Sequence, residues 1–252
     1  MLEVSNLRIR AAGKNLIENI SFKMQEGESL GIIGESGSGK TVTVLSLMGL
    51  LNPKIYSLSG NIKIFGKEIL EMPEEKIAEI RLSEIAIVYQ NPFNTFSPVE
   101  KIDSQINRIY RIKNLKRNND KIGYLLDMVG LDRSHLKKYP HELSGGELQR
   151  LVIVTSLLLK PRILICDEPT TSLDRGTEIK IVEILNRYRK ENGLSLIFIT
   201  HDLNIIEEVS DKLIVMRKGK IVEMGRTSQI MKNPVEKYSK ELLSFLNWEM
   251  KC

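Results

Sequence analysis

The sequence predicts an α/β fold with a mainly parallel sheet core, an N-terminal antiparallel β part and an inserted helical subdomain. Three observations predict it. Apolar, partly β-branched runs such as Leu30-Gly31-Ile32-Ile33 and Ile163-Leu164-Ile165-Cys166 read as buried strands. A glycine-rich loop joins the first of these runs to a run with helical character, Val42–Leu51. Beyond Arg162, strand-like and helix-like stretches alternate, which is the pattern of parallel βαβ units.

The elements follow in order. Leu2–Arg10 and Ile17–Met24 form an antiparallel beginning, and Asn61–Phe65 and Ile85–Gln90 continue as strands. From about 91 to 159 the periodicity becomes helical, over Val99–Ile112, Asp120–Val129 and Gly145–Leu159. This helical subdomain is expected to be inserted into a core that makes 1–252 one domain. Lys212–Arg217 and Lys220–Met224 read as a hairpin turning at Lys218-Gly219, and Thr227–Trp248 reads as an amphipathic helical tail. There is no internal repeat and no low-complexity linker.

The loop Gly34-Glu35-Ser36-Gly37-Ser38-Gly39-Lys40-Thr41 is the phosphate-loop pattern in its strand–loop–helix setting. Its glycines let successive backbone N–H groups converge on phosphate oxygens. The following helix start adds its positive dipole end. Lys40 is expected to reach the outer phosphates of a nucleotide, and Thr41 to ligate Mg²⁺. Arg162–Glu168 reads as a second apolar strand that ends in two acids, Asp167 and Glu168. Asp167 is placed to hold the Mg²⁺ shell and Glu168 to polarise an attacking water, the two tasks that phosphate hydrolysis requires.

Leu143-Ser144-Gly145-Gly146-Glu147-Leu148-Gln149-Arg150 resembles the signature of the ATP-binding cassette (ABC) ATPases. Gln90 matches that family's Q-loop, Ser172-Leu173-Asp174 its D-loop and His201 its switch histidine, all in the expected order. The resemblance covers essentially the whole chain. Apart from the family, a serine and two glycines opening a helix form another N-terminal anion site. The resemblance implies that Ser144, Gly145 and Gly146 face the γ-phosphate held by an opposite subunit, with Asp174 beside it. Two ATP molecules would then lie between two subunits. It also implies a γ-phosphate contact for His201. Gln90 would touch Mg²⁺ or the attacking water and relay that state into the helical subdomain.

One departure concerns the adenine. The family usually stacks an aromatic residue on the base, and the matching position here is Ala11. No Tyr, Phe or Trp lies between Met1 and Ile20. An aliphatic contact from Leu16 or Ile17 is the expected replacement.

Composition narrows the classes. The chain has 252 residues, a hydrophobic fraction of 42% and a net charge of +5. Its longest uncharged stretch, Thr41–Pro53, is too short to span a membrane. Met1-Leu2-Glu3-Val4 enters a strand directly, so no signal peptide is expected. Basic residues cluster only modestly, over Arg108–Arg117 and Arg217–Lys220, without the aromatic interleaving of single-strand binders, so no nucleic-acid partner is expected. Two cysteines make no framework: Cys166 is expected in the core and Cys252 is terminal.

Two further segments carry the resemblance toward importers. Gln90-Asn91-Pro92-Phe93-Asn94-Thr95-Phe96-Ser97-Pro98 looks like a segment of the peptide and nickel importer ATPases, and Lys232–Leu243 looks like their C-terminal ending. The family's histidine in that ending is Glu236 here. The resemblance implies two transmembrane permease subunits, a second ABC ATPase of different sequence, and indirectly an external solute-binding protein. It places the chain at the cytoplasmic face of the membrane. The short tail and Ala11-Ala12 point to nickel or a metal–chelator as cargo. The alternatives are a di- or oligopeptide importer and an ABC ATPase acting in cofactor assembly.

Overall fold

The computed structural model describes residues 1–169 and 174–249. The D-loop residues Ser172 and Leu173, and Cys252, lie outside them. The N-terminal strands β1 (Leu2–Ala11), β2 (Lys14–Met24), β4 (Tyr56–Ile64) and β5 (Lys67–Glu68) form an antiparallel sheet in the order β2-β1-β4-β5. A second sheet has the order β10-β9-β3-β8-β7-β6. In it β3 (Ser29–Ile33), β6 (Ile85–Val88), β7 (Ile163–Asp167), β8 (Ser195–Ile199) and β9 (Lys212–Arg217) run parallel. Only β10 (Lys220–Arg226) is antiparallel, as expected of a hairpin turning at Lys218-Gly219.

The parallel strands are buried on both faces, and the side-chain period of two decides which core each residue joins. Leu164, Cys166, Leu196 and Phe198 enter a core shared with the central helices. Their neighbours Ile163, Ile165, Ile197 and Ile199 enter a core shared with the antiparallel sheet. A smaller core joins Ile33, Leu213 and Val215 to the C-terminal helices. Cys166 is fully buried, and burial pushes its thiol far above the ordinary range.

Between β6 and β7 the chain is helical: α3 (Ile102–Ile112), α4 (Asn119–Met128) and α5 (Gly145–Leu158), joined by short turns. The remaining helices are α1 (Lys40–Leu47), α2 (Glu74–Ser83), α6 (Arg175–Asn192), α7 (Leu203–Val209), α8 (Thr227–Lys232) and α9 (Lys237–Glu249). Among the described residues no helix is long and apolar enough to cross a membrane.

Several expected boundaries move for local reasons. The helix expected to reach Leu51 stops at Leu47. Gly49 takes a left-handed φ of 61°, Leu50 N–H donates to Leu45 C=O and Gly49 N–H to Ser46 C=O, the bonding of a Schellman cap. The helix expected from Val99 starts at Ile102, after the extended backbone of Lys101. α2 lies in a stretch read as strands and one helix. Its surface is mostly polar, so only Ile77 and Ile80 are buried and its apolar periodicity is weak. The strand expected over Asn61–Phe65 extends back to Tyr56, paired with Ala11 across β1. The tail is two helices, because Asn233-Pro234 interrupts it.

Candidate active site

The carboxyl ends of β3, β7 and β8 meet at one edge of the sheet, where the chain's course across the sheet reverses around β3. Open α/β sheets place ligands at such an edge. A cleft of about 840 Å³ opens there, lined by Gly34, Ser36, Gly37, Gly39, Lys40, Thr41, Gln90, Glu168 and His201 together with Leu16.

The loop between β3 and α1 is tightly cast. A Cβ on Gly34 would lie 2.2 Å from the carbonyl oxygen of Met216, and its φ is +155°. Only glycine fits a position so close to another backbone. Lys40 Nζ donates to the carbonyls of Gly34 (2.8 Å) and Glu35 (3.1 Å). Burial lowers the Lys40 ammonium's pKa, against the opposing pull of the Glu168, Asp167 and Glu35 carboxylates.

Asp167 is almost fully buried at the end of β7. Burial raises its pKa, the Thr41 hydroxyl hydrogen-bonded to it lowers it, and the nearby Glu168 charge raises it further. Thr41 and Asp167 thus form an all-oxygen donor set, the kind that suits a hard cation such as Mg²⁺. Glu168 leaves the strand with a left-handed φ of 48° while its N–H donates to Ile199 C=O at 2.9 Å. A left-handed glutamate costs on the order of 1 kcal/mol, and such strain concentrates at functional sites. Gln90 Nε2 donates to Glu168 Oε2 at 2.9 Å, across 78 residues of sequence. β6 ends at Val88, so Gln90 lies just past the strand rather than in it.

Other expected site residues stand apart from this cleft. Glu35 is exposed, and Ser38 is buried. Ser144, Gly145 and Gly146 do not line the cleft; Ser144 instead caps α5. Its Oγ accepts from Glu147 N–H at 3.2 Å, and Glu147 Oε2 accepts from Ser144 N–H at 2.8 Å. The Ser144 N–H and hydroxyl, both hydrogen-bonded to Glu147 Oε2, hold the Glu147 carboxyl below its usual range. Asp174 caps α6, accepting from Thr177 N–H at 3.0 Å and Thr177 Oγ1 at 2.7 Å. Thr177's two bonds hold Asp174 below the ordinary carboxylate range.

Between the two candidates for a base contact, Leu16 lines the cleft, whereas Ile17 is buried with its Cδ1 against Gly39. Ala11 is not among the lining residues. Sequence reasoning missed Asn15, Glu18, Val42, Thr200 and Lys218, which also line it. It also missed that Gln149 Nε2 donates to Tyr89 C=O at 3.2 Å, which ties the signature helix to the strand before Gln90. The hairpin turn adds a brace: Gly219 N–H donates to Ser38 C=O at 2.9 Å.

Known proteins resemble this chain in sequence and in fold. The ABC transporter family model matches residues 17–171. The chain is 38% identical over 234 residues to a peptidoglycan transport ATP-binding protein (YejF) of Agrobacterium fabrum, covering 90% of this chain and 43% of that protein. It is 36% identical to the oligopeptide transport ATP-binding protein OppD of Salmonella typhimurium, covering 97% of this chain and 75% of that one. The chain thus spans less than half of the first relative and three quarters of the second. The dimeric post-hydrolysis structure of the ATP-binding cassette MJ0796 bound to ADP and Pi superposes with a TM-score of 0.81 at 24% identity, over 90% of this chain and 99% of that one. CbiO1 of Clostridium perfringens, part of the ABC transporter complex cbiONQ, superposes at 0.78 and 27% identity, over 100% and 98%. The nickel cargo expected from the short tail has no support among these relatives, which are named for peptides and peptidoglycan. The family model and the likeness to OppD over 97% of this chain lead to one conclusion: the chain belongs to the ABC transporter family and carries its α/β ATPase fold.

Proposed function

We propose that this chain is the ATP-hydrolysing, energy-coupling subunit of a membrane importer for peptides. The observation that carries it is the convergence of Lys40, Thr41, Gln90, Glu168 and His201 in one cleft at the strand ends. The cargo class rests on the likeness to oligopeptide and peptidoglycan transport proteins, and it replaces nickel as the favoured reading.

In this reading the glycine loop and the start of α1 present backbone N–H groups to the phosphates of ATP. Lys40 exchanges its loop carbonyls for phosphate oxygens. Thr41 and Asp167 would hold Mg²⁺, which would supply charge that offsets the phosphates. Glu168 orients the attacking water and takes its proton, and Gln90 holds the Glu168 carboxylate in place through the observed hydrogen bond. His201 contacts the γ-phosphate from the end of β8. The signature residues Ser144–Gly146 serve the nucleotide of a second ATPase chain, and the pair drives two permeases from the cytoplasmic face.

Glu168→Gln keeps the size and a hydrogen-bond acceptor while removing the base. Hydrolysis by the assembled transporter is expected to fall by roughly 10²–10⁴-fold. ATP should still bind and stay trapped, which retention of labelled nucleotide on a desalting column would show. Native turnover in this variant would refute the assignment. For the cargo, the transporter isolated from membranes with its binding protein is expected to take up peptides. Uptake of nickel with indifference to peptides would reverse that choice.

A further inference from the structure

The C-terminal tail touches the phosphate loop. The Asn233-Pro234 break redirects the chain, and the N–H groups of Val235 and Glu236 donate to the Glu223 carboxylate of β10 at 2.9 and 3.2 Å. This fixes the first turn of α9 and brings Tyr238 to the loop. Tyr238 OH accepts from Glu35 N–H at 3.3 Å, across 203 residues. Burial raises the Tyr238 phenol's pKa, so at neutral pH the hydroxyl is protonated. Arg217, the last residue of β9, lies over the Tyr238 ring at 4.5 Å, and its Nε is 4.0 Å from Glu35 Oε1.

Glu35 is an anomaly in an anion cradle. A carboxylate beside the loop opposes the approach of phosphate, and Arg217 is the cation set against it. The peptide that carries the Glu35 N–H, and with it the Gly34 carbonyl, has both ends engaged. The Gly34 carbonyl accepts from Lys40 Nζ, and the Glu35 N–H donates to Tyr238. When Lys40 turns to a ligand, the Tyr238 bond still holds the peptide in orientation.

We propose that Arg217 and Tyr238 are positioning residues for the phosphate loop. Arg217 offsets the Glu35 charge, and Tyr238 fixes the Glu35 peptide, so the tail sets how strongly the cradle takes a nucleotide triphosphate. The proposal rests on residues 34–41 being the ATP cradle.

The test compares the whole chain as wild type, Arg217→Ala, Arg217→Ala with Glu35→Gln, Tyr238→Phe and Lys40→Ala. Equilibrium binding of Mg-ATP is read at low and at physiological salt, and amide exchange is read over 34–39. Arg217→Ala is expected to weaken ATP by about threefold to tenfold at low salt and less at high salt, as a partly screened charge should. Adding Glu35→Gln should restore the affinity to within about twofold, since it removes the charge that Arg217 offsets. Tyr238→Phe keeps the ring under Arg217, and should speed exchange at the Glu35 amide while α9 stays protected. A loss in Arg217→Ala that Glu35→Gln does not repair would reduce Arg217 to a folding role and overturn the proposal. So would a Glu35 amide that stays protected in Tyr238→Phe. If wild type and Lys40→Ala both fail to bind ATP, the cradle reading falls instead, and exchange in the nucleotide-free chain still decides the tail's hold on the loop.

Discussion

At the scale of single residues, the site is built from side chains whose environments oppose their charge. Asp167, buried at a strand end, and Lys40, half-buried at the start of α1, each bear a desolvation penalty that a neighbour of opposite charge offsets. Lys121 has no such relief. Burial lowers it to about 8, and Lys160 and Lys113 push it the same way. Its folded pKa therefore lies below the unfolded value near 10.4. Between these values the unfolded chain binds more protons, so stability rises with pH there. Below about 8 the full cost of the buried charge is present. Lys121→Gln is expected to melt higher than wild type at pH 7, with the gap closing as pH climbs from 8 toward 10.5. A gap constant across that range in paired thermal melts would refute the account. Residue identity alone singles out Lys40, Asp167 and Glu168, because the roles proposed for them follow from chemistry at fixed spacing. It could not mark Lys121, whose two lysine neighbours come from other elements.

At the scale of elements, the helices obey their ends. α5 starts at Ser144 because the serine and Glu147 satisfy each other's backbone N–H groups in a capping box. His135 adds to this cap, its Nε2 3.2 Å from Glu147 Oε1. Ser144→Ala should cost about 1 kcal/mol of stability, the usual loss on removing a serine cap. A shift in denaturant midpoint at unchanged slope would measure it, and an unchanged midpoint would show that the cap carries no weight. The start of α5 was legible, since a cap is written within four residues. α2 was not legible, because an exposed helix buries too little to print a periodic apolar stripe. The tail was legible as helix but not as two helices, because the apolar periodicity runs on across the Asn233-Pro234 pair that breaks it.

At the scale of the whole molecule, the strand order decides which residues meet. β3 lies between β8 and β9, so the loop after it faces residues that end β7 and β8. The signature falls elsewhere: Ser144–Gly146 are not part of the cleft that holds Lys40. A complete site on the proposed reading therefore needs a second chain. In the assembled transporter, Ser144→Arg in this chain should still allow photolabelling of this chain by azido-ATP. Turnover should nonetheless fall by roughly 10², as when one preorganised donor to a reacting phosphate is lost. Loss of labelling together with turnover would place Ser144 in its own chain's cradle instead.

The sequence by itself determined the phosphate loop, the acidic strand end, the hairpin and the cap of α5. Each of these is a local pattern, in which neighbouring residues dictate backbone angles and hydrogen bonds within one turn or strand. Only the tertiary structure decided that Gln90 bonds to Glu168, that Leu16 rather than Ile17 lines the cleft, and that Tyr238 reaches Glu35 from the far end of the chain. Those pairings depend on strand order and on the path of a broken tail. Neither is encoded in any single window of sequence, because long-range order is chosen by the joint burial of several faces at once.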